Sequence, residues 1–163
     1  MDTKLFIQVC KEEYTAVFTM LRRVIELCPP ELWNQPGNEP PFWHQAYHAT
    51  WATNYFFNEN GDTLEAPPFA EVERYDLGKS WNTPLSKGDI LTYVDETEAK
   101  VMAFIESQSG EMLATINPFG KVGATVANRM IYTMRHCIQH LGWMESYLSR
   151  HGNIVLGWPC LLY

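Results

Sequence analysis

Apolar residues return every three or four positions over four long stretches of this chain, and prolines stand between them. That period puts them on one face of an α-helix. The first stretch runs from about Asp2 to Cys28, with Leu5, Val9, Val17, Leu21 and Val24 on its stripe. "CPPELWNQPGNEPP" stops it, because proline disfavours helix at the residue before it and removes an interior N–H. A second helix starts near Pro41 or Phe42, where proline suits a first turn, and ends near Asn58. Apolar residues almost encircle "FWHQAYHATWATNYFF", so burial on most sides is expected. The third is "SKGDILTYVDETEAKVMAFIES", with Ser86 as N-cap and Asp89 three residues on, as in a capping box. The fourth spans roughly Val122 to Arg150, carries Val126, Met130, Met134, Cys137, Leu141, Met144 and Leu148, and stops at Gly152.

The segment Glu59 to Leu85 shows no sustained period and is long for a connection in one domain. A crossover joining two helices that run the same way explains such a length. Phe69, Tyr75 and Trp81 are expected to pin it. "LATINPFGKVG" reads as a turn with a short extended piece around Thr115 and Ile116. The apolar tail "NIVLGWPCLLY" is expected to lie extended or to cover a seam. The pattern therefore predicts an all-α four-helix bundle, with a long crossover between the second and third helices, in a single domain over residues 1–163.

Charge narrows the function. The net charge is −7, and no lysine–arginine cluster stands against it. That speaks against nucleic acid and against an anionic membrane surface as partners. Cys10, Cys28, Cys137 and Cys160 form no CxxC pair and read as reduced thiols of a cytoplasmic protein. No signal peptide is expected in "MDTKLFIQVCKEE", and no apolar run reaches membrane-spanning length.

Histidine is scarce, with five in total, yet four fall as two pairs at a spacing of four: His44 and His48, then His136 and His140. One such pair is a weak sign, since histidines at an apolar edge are often satisfied by one hydrogen bond each. On the fourth helix, however, both rings sit on the flank of the core stripe, at a seam where a partner helix can add a third nitrogen. Two rings one turn apart suit a single ion. At least one of His44 and His48 can complete a set of three imidazoles from facing helices. His151 lies beyond that region and reads as surface or C-terminal capping. Asp95 and Glu96 are candidate outer-shell carboxylates. Tyr47, Tyr55, Tyr132 and Tyr147 are candidate pocket residues, although tyrosines at this spacing usually belong to the core.

"FWHQAYHATWATNYFF" and "MRHCIQHLGWME" together resemble the DinB-like superfamily, related to the YfiT-type metal-dependent hydrolases. The resemblance implies an up-down-down-up bundle and one divalent metal, zinc or nickel, on His48, His136 and His140, with Gly142 two residues beyond the last ligand. His44 matches the ligand pattern less well and reads as packing or a supporting contact. Some relatives carry a histidine immediately before the last ligand; this chain has Gln139. The resemblance also implies a homodimer in many members and activities that include thiol-dependent transferases and isomerases using low-molecular-weight thiols.

Three neutral imidazoles leave a divalent charge uncompensated, which favours an anion at the open position. Two enzymatic readings follow for a small-molecule substrate: hydrolysis through an acidified water, or transfer through a small thiol held as thiolate. The alternative is a non-catalytic, metal-stabilised binding or stress-response module. A homodimer is expected from the aromatic richness of the first two helices, taken to leave apolar surface outside one core.

Overall fold

The computed structural model describes residues 2–157 apart from 36, 38, 62, 63 and 121. The first helix, α1 (Thr3–Leu27), begins where the side chain of Asp2 accepts from the backbone N–H of Lys4 at 2.9 Å. It ends at Cys28, before the two prolines. Those prolines do not only break helix: Pro30 occupies the first position of a one-turn helix, α2 (Pro30–Trp33). Proline fits there because its missing N–H has no partner to lose. The periodic pattern had not indicated this turn.

Helix α3 (Phe42–Phe56) follows Pro41 and buries eleven of its fifteen residues, in line with its encircling apolar pattern. The crossover then runs to Leu85 and contains a 3-10 turn, Val72–Tyr75. Phe69, Tyr75 and Trp81 all pack against the core, as expected. Trp51 holds the segment most firmly: its indole N–H donates to the carbonyl of Glu65 at 2.6 Å, and its ring stacks on Tyr75 at 4.1 Å.

Helix α4 (Lys87–Glu106) starts at Ser86, whose hydroxyl accepts from the N–H of Asp89 at 3.0 Å and donates to its carboxylate at 2.6 Å. A second unforeseen turn, α5 (Gly110–Ala114), is capped by Ser109. The extended piece near Thr115 and Ile116 is a single antiparallel bridge, Ile116 to Thr125. Helix α6 (Val126–Gly152) begins four residues later than the stripe suggests. Its first turn is set by a capping box between Thr125 and Asn128. Gly123, at φ 114°, precedes it, and a Cβ there would meet that of Asn128 at 2.5 Å. Gly152 is the last helical residue, and Asn153 takes the left-handed conformation that ends the helix.

The described residues thus form six α-helices and no strand. Helix α3 packs on α6 and α4, and α1 packs on α4 and α6. The shared core includes Tyr14, Phe18, Trp43, Tyr47, Ile90, Ile105, Met130 and Met144, all at or near zero exposure. Burying one such side chain contributes roughly 1.5–3 kcal/mol. A buried polar bond ties α1 to α6 across this core: the Tyr14 hydroxyl donates to the Met130 carbonyl at 2.7 Å. On the surface, Arg22 ties α1 to α4 through Asp95 at 2.6 Å and through Glu98.

Cys10, Cys28 and Cys137 are buried free thiols. Cys160 and the tail from Trp158 onward lie outside the described residues. No helix among the described residues is long and apolar enough to cross a membrane. The aromatic residues of α1 and α3 do not produce the surplus apolar surface expected of them, because Tyr14, Phe18, Phe42, Trp43, Tyr47 and Trp51 are buried. The large apolar side chains exposed among the described residues are not aromatic; they include Leu5, Val9 and Leu27 on α1 and Ile131 and Ile138 on α6.

Candidate metal centre

Packing of α3 on α6 brings together residues almost ninety positions apart. One ring nitrogen from each of His48, His136 and His140 lies within 4.8 Å of the other two. The ring centroids of His48 and His140 stand 4.6 Å apart, as do those of His136 and His140. Nε2 of His140 and Nε2 of His136 are separated by 3.3 Å. Two nitrogens each about 2.05 Å from a tetrahedral ion stand roughly 3.3 Å apart. The pair on α6 is therefore already at the spacing of two zinc-type ligands.

Ring partners decide which nitrogens are free. His48 Nδ1 faces the Tyr75 carbonyl at 2.6 Å. A carbonyl only accepts, so Nδ1 carries the hydrogen and Nε2 keeps its lone pair. His140 Nδ1 faces Oε1 of Gln45 at 2.8 Å and donates in the same way, again leaving Nε2 bare. His136 differs: its Nδ1 is buried with no hydrogen-bond partner among the described residues. Tyr132 stacks beside it at 6.2 Å, and Phe56 presents an edge at 6.3 Å, so an aromatic wall closes this side.

Burial also keeps the rings neutral. It pushes His136 down to about 4 and His140 down to about 3, with mutual repulsion among the imidazoles adding to the effect. His48 is lowered by burial too, partly offset by its bond to Tyr75. Neutral imidazoles are the form that binds metals. The bare Nε2 atoms of His48 and His140 converge with a nitrogen of His136, and burial keeps all three rings neutral; once the His136 hydrogen sits on Nδ1, the set fits a divalent ion and leaves a coordination position for another ligand.

Several expected roles fall elsewhere. His44 is buried, stacks on Trp43 at 4.9 Å and donates from Nε2 to the Arg74 carbonyl at 2.7 Å. It supports the fold beside the cluster. Asp95 pairs with Arg22 and Glu96 is exposed, so neither stands behind a ligand; the supporting groups are the Gln45 amide and the Tyr75 carbonyl. Gln45 had a faint signal, lying one turn from His48 on a buried helix, but a backbone carbonyl has none in a sequence. Of the four tyrosines, Tyr132 touches the cluster. Tyr47 is core, Tyr55 stacks on Trp51, and Tyr147 packs against Phe42, Trp143 and His151.

Comparison with known proteins adds two findings. A family model described as the DinB superfamily matches residues 13–144, a span that includes all three histidines. No curated protein matches the chain.

Proposed function

The chain belongs to the DinB superfamily, and from that premise we propose that it holds one divalent metal ion, zinc or nickel, through Nε2 of His48, His136 and His140. The observation that carries this is the convergence of one ring nitrogen from each of three neutral imidazoles, two of them at 3.3 Å. The groups behind the rings are a neutral amide and a neutral carbonyl. They orient the donors without cancelling the ion's charge. When bound, the ion supplies a Lewis acid that acidifies a small thiol or a water.

The reading we favour is a cytoplasmic metal-dependent transferase or hydrolase acting on a small molecule, with a low-molecular-weight thiol as co-substrate of the transferase. Phe56 and Tyr132 give the cluster an apolar wall against which a substrate can rest. The second reading is a non-catalytic, metal-stabilised binding or stress-response module. We also read the four long helices as an up-down-down-up bundle in one domain over residues 1–163. The pairwise packing of α1, α3, α4 and α6 and the length of the crossover support that order. A homodimer is proposed through exposed aliphatic residues such as Ile131 and Ile138 on α6. A monomeric mass by light scattering at high concentration would contradict it.

Elemental analysis of the purified protein tests the metal: about one ion per chain is expected, and loss of it in His48→Ala and His140→Ala. Full metal content in both variants sinks the assignment. Turnover separates the remaining readings. Conjugation of a model electrophile only when one small thiol is added marks the transferase. Cleavage of an activated ester without thiol marks the hydrolase. Neither activity, with metal still bound, marks the module.

A further inference from the structure

The 3-10 turn of the crossover ends on Arg74 and Tyr75. Their consecutive carbonyls face two histidines one helical turn apart on α3: Arg74 O takes the Nε2 hydrogen of His44 at 2.7 Å, and Tyr75 O takes the Nδ1 hydrogen of His48 at 2.6 Å. Both oxygens are pure acceptors, so each fixes a proton on the nitrogen it faces. An imidazole without such a partner exchanges its single proton between the two nitrogens. Here His48 is left with one bare nitrogen, Nε2.

The turn is itself tied down on both sides. The Arg74 guanidinium pairs with the Glu71 carboxylate, donates to the Thr83 carbonyl at 2.8 Å, and lies over the rings of Trp43 and Trp81. Tyr75 stacks on Trp51 at an interplanar angle of 13°. His44 contributes a further tie, a buried donor whose ring lies flat on Trp43. The second histidine pair is therefore a pair by division of labour. One ring fastens the crossover, and the crossover sets the proton on the other.

We propose that the Arg74–Tyr75 turn presets the tautomer of His48, and that His44 is the positioning residue that keeps the turn in register. The consequence for metal affinity rests on the three-histidine reading above; the tautomer itself does not. A ligand whose bare nitrogen is already chosen binds without a prior proton exchange, and loss of such outer partners typically costs about 10–100-fold in metal affinity.

The test is ¹⁵N spectroscopy of the imidazoles in the metal-free full chain, with zinc affinity measured by chelator competition. A protonated ring nitrogen and a bare one are well separated in ¹⁵N shift. The parent protein should show His48 as a single tautomer, protonated at Nδ1. His44→Phe keeps the stacked shape but cannot donate; it should give a mixed His48 tautomer and roughly 10–100-fold weaker zinc binding. His44→Gln, which can still donate to Arg74, should restore both. A parent His48 protonated at Nε2, or a His44→Phe protein with unchanged tautomer and affinity, overturns the proposal. Should His44→Phe fail to fold, Tyr75→Leu keeps both carbonyls and removes only the stack on Trp51. Mixed tautomers there support the proposal, and an unchanged tautomer overturns it. If the parent binds no zinc, the metal reading falls while the spectrum still decides the preset tautomer.

Discussion

Two pairs of histidines share a spacing of four and have different fates. On α6, His136 and His140 both turn into the seam, and their Nε2 atoms meet at 3.3 Å. On α3, His48 joins them, whereas His44 spends Nε2 on the Arg74 carbonyl. Helical spacing puts two rings on one face, and the nearest acceptor then decides what each ring does there. A motif of this kind is best judged by the fate of its N–H groups.

The sharpest way to break this contrast is to remove one ring from each pair. His140→Ala should cost metal affinity beyond the roughly 10–100-fold that an outer partner is worth, and His44→Ala should leave about one ion per chain by elemental analysis. Equal metal loss in the two variants would erase the distinction. Next comes the support behind His140. Gln45→Leu removes its acceptor, and chelator competition should show zinc binding weakened by about 10–100-fold.

Chelation probes the pairs together. At an ion concentration near a hundred times Kd, binding stabilises by about 2.7 kcal/mol. In a chain of this size, stripping the ion should lower Tm by roughly 5–10 °C. His48→Ala should shrink that difference, and an unchanged difference would place the stabilising ion elsewhere. Acid gives the smallest and most selective effect. His136 and His140 are held down by burial to about 4 and about 3 in the folded chain, against an ordinary value near 6.5. Between those limits the unfolded chain takes up protons that the folded chain does not, so stability falls as pH drops. The urea midpoint of metal-free protein should decline from pH 7 towards pH 4, and His140→Leu should flatten the decline.

Much of this was readable in the chain itself. The stripes of α1, α4 and α6 and the encircled α3 follow from apolar period alone, and Ser86 announced the start of α4. The turns α2 and α5 were too short to show a period. The start of α6 was misplaced because Val122 extends the stripe, while Gly123 and the Thr125–Asn128 box prevent helix before Val126. Resemblance separated His48 from His44, a choice that spacing left open. The physical ground for it is a main-chain oxygen some thirty residues away.

Three of the four cysteines are buried in a way that quiets their own chemistry. Burial lifts Cys10 to about 11, and Cys28 and Cys137 to about 12. At neutral pH such a thiol stays protonated, and it is the thiolate that attacks electrophiles. These three side chains are poor competitors for an added electrophile or a soft metal ion, so a conjugation signal that appears with a small thiol cannot be credited to them.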